Sequence, residues 1–386
     1  MRYAMKKVGI LAEYNPFHRG HQYQLQVIRQ QFPEATIIVA MSGNQSQRGE
    51  FTLMDKWTRS RYAIEAGADI VVELPVIASL QSADYFADWG MRILSGMGID
   101  TLAFGVETLD LNSLIKIVEE IETNQSMIDL TLQKEMSSGV SYPEAYSRSI
   151  EAHLGEVAAE HFNAPNHMLA VRYIQSMKRW NKEVNFMAIP RSQTTFDGET
   201  ILSGTQIREH YLTTGEIIAV PYPIQVDQGV VLEDYYPYLK YRIMSDQPGG
   251  LEQIFDVKNG LGQYIYETNQ KANSYDKLVE LLTSRRFTRS SIQRKLLRIM
   301  LNFTDEKWQQ SIDLQQEMPT VRLLGISSRG RVHLRMESLK TTIFTRLNRE
   351  VSPYYQLNLT LDQIYQNNLK RMINEQNIEK IPFLGK

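Results

Sequence analysis

Five short apolar runs mark the first half of the chain: 8–12 (VGILA), 35–41 (ATIIVAM), 68–74 (ADIVVEL), 99–105 (IDTLAFG) and 184–189 (VNFMAI). They are rich in β-branched residues and lack the one-in-two polar alternation of a half-exposed sheet. Each therefore predicts a strand buried on both faces. Between the first two runs, Leu25, Ile28 and Phe32 fall on one helical face. Strand–helix–strand alternation predicts a parallel sheet with helices on both sides, an α/β fold. From 106 to 183 the pattern is mostly helical and reads as an insertion ahead of the last strand.

After about residue 215 the alternation stops. AVPYPIQ and DYYPYLKY are connectors rich in proline and tyrosine, helical patterns dominate from about 238 to 303, and TVRLLGIS (320–327) reads as one more strand. This predicts an α/β domain over 1–215 and a mainly helical region over 216–386. No internal repeat or low-complexity tract is visible.

The 386 residues suit two domains, and 42% hydrophobic with 22% charged residues is the balance of a globular protein. A formal net charge of −2 confines any nucleic-acid surface to a local patch. The absence of cysteine excludes disulfides, cysteine-ligated zinc and an acyl-thioester on the protein, and fits a reducing compartment. Basic residues Arg2, Lys6 and Lys7 precede an apolar run of only five residues, too short for a signal-peptide core. No run approaches bilayer-spanning length. The expectation is a cytoplasmic protein, away from membranes, with no feature that singles out a protein partner.

The chemistry begins at EYNPFHRGHQYQL (13–25), which leaves the first strand. Parallel sheets bind ligands at the carboxyl ends of their strands, where the strand order reverses. Pro16 stiffens the turn, and Gly20 lets a phosphate approach the backbone. The next helix points its free N–H groups at the same place. His18 and His21, three apart, project to one side. Two imidazoles, a helix terminus and bare backbone suit a phosphate that gains charge in a transition state. His-x-Gly-His occurs by chance, and the strand before it and the helix after it are what give it weight.

Other segments are expected at the same sheet edge. LSGTQIR (202–208) offers Ser203, Thr205 and Arg208 near a helix start, suited to phosphate oxygens, although a plain N-cap with a surface arginine would look the same. Gly105 ends the fourth run, Asn166 lies near the start of a helix, and Arg191 follows the fifth run.

The histidine segment resembles the H-x-G-H nucleotidyltransferases, the group that includes class I aminoacyl-tRNA synthetases. LSGTQIR is similar to that group's second phosphate motif, with Gly204 in place of the commoner serine. The resemblance implies a Rossmann-like domain and attack on the α-phosphate of a nucleoside triphosphate, with pyrophosphate leaving. It narrows with MSGNQSQRGEFTLMDKWTRSRYAIEAGADIVVELPV, SLQSADYFADWGMRIL, LAFGVET, SRRFTRSSIQRKLLRIML and RLLGISSRGR. Together these blocks resemble the bacterial tRNA(Met) cytidine acetate ligases, over most of 7–108 and 160–210 and parts of 284–331.

That family resemblance implies an ATP-dependent ligase. It would form acetyl-adenylate from ATP and acetate, then acetylate N4 of the wobble cytidine of elongator tRNA(Met). It implies catalytic roles for His18 and His21. It implies nucleotide contacts along Leu11, Ala12, Glu13, Tyr14, Asn15, Pro16, Phe17, His18, Arg19, Gly20, His21, Gln22, Tyr23 and Gln24, with isolated contacts at Gly105, Asn166 and Arg191. Around Arg191 the family is glycine-rich where this chain has PRSQTTFDGE, and His167 replaces an asparagine. Mg²⁺ is expected with the nucleotide, although no carboxylate cage for it is visible.

Residues 285–298, RRFTRSSIQRKLLR, hold basic side chains and no acid. Ile292, Leu296, Ile299 and Phe303 make an apolar face, and Arg294 and Arg298 lie on another. Arg285, Arg286, Arg289, Arg294, Lys295 and Arg298 are therefore expected to track RNA phosphates. Two alternatives stay open from the residues alone. One is an adenylyltransferase acting on a small phosphorylated metabolite or mononucleotide. The other is an RNA-binding relative without catalysis.

Overall fold

The computed structural model describes residues 6–107, 110–156, 158, 165–191, 194–222, 229–316, 319–349, 353–376 and 380–385. The first part runs β1 (Lys7–Ala12), α1 (Arg19–Gln31), β2 (Thr36–Ser42), α2 (Lys56–Glu65), β3 (Ile70–Leu74), α3 (Val76–Ser79), α4 (Ala83–Gly96) and β4 (Thr101–Val106). The helical insertion follows as α5 (Leu111–Ser137), α6 (Tyr142–Leu154) and α7 (Pro165–Trp180). Then come β5 (Asn185–Pro190), the small hairpin β6 (Thr195–Phe196) and β7 (Glu199–Thr200), and α8 (Gly204–Thr214).

β1 to β5 form a parallel sheet in the order β3-β2-β1-β4-β5. The order reverses between β1 and β4, so a ligand crevice belongs beyond their carboxyl ends. The apolar runs are continuous because both faces are covered. On β2, Ile38 and Ala40 pack into a core with α4, α5 and α7, while Ile37, Val39 and Met41 pack with α1 and α2.

The second part is mainly helical: α9 (Tyr236–Leu251), α10 (Leu261–Lys271), α11 (Tyr275–Leu282), α12 (Arg289–Met300) and α13 (Asp305–Gln315). It then returns to the sheet. β8 (Thr320–Ile326) pairs antiparallel with β3, from Ile70 opposite Ile326 to Glu73 opposite Arg322. After α14 (Ser328–Met336), β9 (Thr342–Phe344) pairs with β8; after α15 (Gln356–Gln366), β10 (Phe383–Leu384) pairs with it as well. The strand expected at 320–327 is present. β9 and β10, three and two residues long, left no readable apolar period. A boundary at 215/216 therefore cuts through the sheet, with β1 to β5 on one side of it and β8 to β10 on the other. α9 to α13 and α15 share a third core with Phe51, Val76, Ile77 and Leu80, on the segments that follow β2 and β3.

Charged groups are buried where α15 meets the sheet. Lys56 Nζ donates to both oxygens of Glu73, at 2.9 and 2.8 Å, to Asp362 and to the Tyr355 hydroxyl at 3.2 Å. Asn44 donates to Asp362 at 2.9 Å and Asn358 to Glu73 at 3.0 Å. Burial pushes the Asp362 carboxyl up to about 7, against the attraction of Lys56. Among the described residues, no helix is long and apolar enough to cross a membrane.

Candidate active site

The turn after β1 brings its two histidines face to face. Their rings stack with centroids 3.7 Å apart. His18 is the N-cap of α1, and its Nδ1 accepts the Gly20 N–H at 3.1 Å. His21 returns the contact: its Nδ1 accepts the His18 N–H at 3.2 Å. Two Nδ1 acceptors assign both protons to Nε2. The sequence suggested that bare backbone N–H groups would face a phosphate. Instead the imidazoles cap two of those N–H groups, which leaves each Nε2–H as the outward donor.

Both rings are neutral. Burial, with Arg191 and Arg208 adding to it, pushes His18 down to about 3. Burial holds His21 well below its usual range, and His18 and Arg191 add to the effect. A neutral Nε2–H donor does not repel those arginines, so all four groups can face one anion.

Arg191 and Arg208 reach the turn from two directions. Arg208 Nη1 donates to the Asn15 carbonyl at 2.6 Å and Nη2 to Thr205 Oγ1 at 3.3 Å. The approach is close: a Cβ on Gly204 would stand 2.7 Å from that same carbonyl oxygen. Ser203 caps α8, its Oγ accepting the Gln206 N–H at 3.3 Å. Arg191 lies over Gly105 and donates from Nη1 to Asn166 Oδ1 at 2.9 Å, while Asn166 donates to Glu107. Glu107 thus orients Asn166, which orients Arg191. Gly105, Asn166 and Arg191, each read separately from sequence, form one connected unit.

Not every residue of 11–24 is placed to meet a ligand. Leu11 packs in the core, and Phe17 is fully buried against Tyr14 and Tyr62. Asn15 Oδ1 accepts the Leu53 N–H at 2.9 Å, and the Asn15–Pro16 peptide is cis. Tyr23 packs on Phe196 of the hairpin. Glu13 accepts the Gln47 N–H; burial raises its carboxyl despite that bond and the nearby Arg48 and Arg208.

The basic helix differs from its sequence reading. Lys295 and Arg298 are 3% and 2% exposed, and both pair with Asp256, Arg298 at 2.9 Å. Arg298 also donates to the Leu80 carbonyl and to Gln81 Oε1, each at 2.9 Å. The compensating acid lies outside the segment, where a reading of 285–298 could not find it. These two cations are internal struts and not a phosphate-tracking surface. Arg294 is half-buried, and burial, with Arg298 beside it, pushes its guanidinium down to about 10. Arg285, Arg286 and Arg289 are exposed, and Arg289 pairs with Asp276.

Sequence reasoning passed over several residues at this edge. Arg59 of α2, fully buried, donates to the carbonyls of Glu13 at 2.5 Å, Ser42 at 3.2 Å, Met54 at 2.9 Å and Gly43. It ties the ends of β1 and β2 together. Glu50 faces Arg208 at 4.0 Å. Tyr173, whose phenol burial pushes up, lies close enough to Glu13 and Arg191 for both to act on it. The run SGNQSQRGE after β2 was a visible turn signal at the same edge. Tyr173 gave none, because it falls within the apolar period of its helix.

Among known proteins, the HIGH Nucleotidyl Transferase family model matches residues 5–380. A protein of Latilactobacillus sakei named tRNA(Met) cytidine acetate ligase is 35% identical over 352 residues, 86% of this chain and 84% of that one. One of the same name from Streptococcus mutans is 35% identical over 94% of each chain. A Staphylococcus aureus protein, also of that name, is 31% identical over 94% of this chain and 95% of its own. Among solved structures, Thermotoga maritima TmcAL bound with alpha-thio ATP superposes with a TM-score of 0.86 at 25% identity. That match covers 99% of this chain and 100% of the other.

Proposed function

Since the chain belongs to the HIGH nucleotidyl transferase family, with tRNA(Met) cytidine acetate ligases as its full-length relatives, we propose that the histidine turn is where it activates acetate. The protein is an ATP-dependent tRNA(Met) cytidine acetate ligase, and this reading stands ahead of an adenylyltransferase for small metabolites. The observation that carries the site assignment is the pair of neutral, stacked imidazoles at the strand-order reversal, each capping backbone with Nδ1 and presenting Nε2–H.

In the first step an acetate oxygen bonds to the α-phosphorus of ATP. The bond from that phosphorus to the β-bridging oxygen breaks, and pyrophosphate leaves. Nε2–H of His18 and of His21 stabilises the charge that builds on the α-phosphate oxygens. Arg208, with Ser203 and Thr205 beside it, takes the departing phosphates, and Arg191 takes the nucleotide side. In the second step the exocyclic N4 amine of the wobble cytidine attacks the acetyl carbonyl, the bond to the phosphate oxygen breaks, AMP leaves, and the proton given up by the amine passes to solvent. An unpaired anticodon-loop base can be splayed into a site in a way that a paired one cannot.

Mg²⁺ belongs to this reading only as a companion of the triphosphate. Among the described residues no group of three or more His, Cys, Asp or Glu could hold a metal ion, and no step here runs through one. The part of the chain carried by 1–215 does the adenylation. RNA contact falls to the exposed Arg285, Arg286 and Arg289 of the second part.

Two measurements test the reading. Pyrophosphate exchange into ATP should require acetate and should proceed without tRNA. Exchange that ignores acetate would remove acetyl-adenylate. Total tRNA incubated with ATP and labelled acetate should carry the label on N4-acetylcytidine at the wobble position of elongator tRNA(Met). Label on another tRNA or at a paired cytidine would overturn the acceptor.

A further inference from the structure

Residues 43–55 connect β2 to α2 and lie between the histidine turn and α12. Two polar chains cross this loop. In the first, Gln293 of α12 donates from Nε2 to Glu50 Oε1 at 3.0 Å. Glu50 Oε2 lies 4.0 Å from Arg208 Nε, and Arg208 donates to the Asn15 carbonyl. In the second, Arg298 of α12 donates to Gln81 Oε1, Gln47 Nε2 donates to the Gln81 carbonyl at 2.6 Å, and the Gln47 N–H donates to Glu13. Glu13 and Asn15, on either side of Tyr14, are thus both reached from α12.

The loop is pressed against that helix. Gly49 has φ +86°, and a Cβ there would stand 2.3 Å from the backbone nitrogen of Arg294. Glu50 itself is closed into a tight turn: its N–H donates to Ser46 Oγ at 3.3 Å, and its carbonyl accepts the Ser46 N–H at 2.8 Å. Its backbone is therefore held, and its carboxylate stands between Gln293 and Arg208.

We propose that Glu50 is a positioning residue for the ligase reaction, holding Arg208 against the turn that carries His18 and His21 while itself anchored to α12. This rests on the ligase reading above. An arginine has a long stem and many rotamers, and its planar fork helps a phosphate only when it is already placed. The Asn15 carbonyl at Nη1 and Thr205 at Nη2 hold two arms of the fork by hydrogen bonds, and the carboxylate, 4.0 Å from Nε, draws the third side by charge alone, which leaves donors over. The pair is 32% and 23% exposed, so it adds little to stability, and its consequence belongs in rate.

The test is acetate-dependent pyrophosphate exchange at saturating ATP, without tRNA. Arg208→Ala should lower kcat by roughly 100-fold, and Glu50→Ala by roughly tenfold through misplacement. In the Arg208→Ala background, Glu50→Ala should cost nothing further, because the group it positions is gone. Glu50→Gln, which keeps the stem and an oxygen for Gln293 but removes the charge that acts on Arg208 across 4.0 Å, should lose nearly as much rate as Glu50→Ala. If Glu50→Ala does not fold, Glu50→Met, which keeps the stem and removes both oxygens, serves in the same cycle. Additive losses in the double variant, or a Glu50→Ala rate equal to wild type, overturn the proposal while leaving the ligase reading intact. Wild-type exchange that ignores acetate would instead strike the ligase reading, so the two failures are distinguishable.

Discussion

His18 joins folding and chemistry in one ring: Nδ1 caps α1 and Nε2 carries the outward donor. Asparagine keeps an acceptor in nearly the place of Nδ1 and is itself a good N-cap. His18→Asn should therefore fold, yet lose roughly 10²–10³ in the rate of adenylate formation with a much smaller change in ATP affinity. Exchange kinetics against ATP concentration separate the two effects. The same variant isolates a pH effect. The unfolded chain binds a proton on this imidazole near pH 6.5, whereas the folded chain refuses it down to about 3. Wild-type stability should therefore fall as pH drops through that window. Asp362 has the opposite sign: its folded carboxyl keeps a proton up to about 7, so its contribution is fully present below its ordinary value of 3.8 and is lost as pH rises through 7. Asp362 is common to both proteins and cancels, and His21, whose depression His18 deepens, shifts in the same direction, so the difference between them belongs to the stacked imidazole pair. Between pH 6 and 4, His18→Asn should lose about 2 kcal/mol less than wild type, measured by urea unfolding at each pH.

At the scale of elements, α12 shows how far a sequence can be read. Its amphipathic period was visible, and Ile292, Leu296 and Ile299 are all in the core. The partner of its cations was not visible, because Asp256 lies in a turn some forty residues upstream and only the tertiary fold sets it beside Arg298. The reading of the first strand-to-helix unit held well for a complementary reason: its determinants are local. Apolar run, turn and helix face all lie within 8–28, while the capping of the first N–H groups by His18 and His21 was not read. Convergence of Gly105, Asn166 and Arg191 followed from strand order, which alternation predicts. The chain of hydrogen bonds linking them depends on Glu107 and could not be read. RNA contact should divide along the same line. Arg285→Glu with Arg286→Glu should leave acetate-dependent exchange intact, weaken tRNA binding, and flatten its salt dependence by a slope of roughly 0.7–0.9 per lost contact. Unchanged tRNA affinity across a salt series would take the RNA role away from these two residues. Arg298→Ala should behave differently, lowering stability because it strips the partners from Asp256 and Gln81.

Across the whole molecule, the seam between α15 and the sheet decides whether the two parts are one body. Lys56 is fully buried and answers two carboxylates from elements far apart in the chain. Lys56→Ala would leave Glu73 and Asp362 facing each other without a cation, and should cost roughly 3–5 kcal/mol, the usual penalty for breaking a buried pair. Denaturant unfolding would show it as a lower midpoint with the slope unchanged. The antiparallel strand β8 has a further consequence, in the order in which the protein is made. Its partner β3 is synthesised roughly 250 residues earlier, an interval of order 10–50 seconds at ordinary translation speeds. Throughout that time the nascent sheet carries a naked edge, with Lys56 and Glu73 waiting beside it for Asp362. Unpaired edges recruit other strands. Residues 1–215 are therefore not a detachable cassette: a gene cut at codon 215 should yield a chain that associates with itself, and adding residues 216–386 in trans should rescue it.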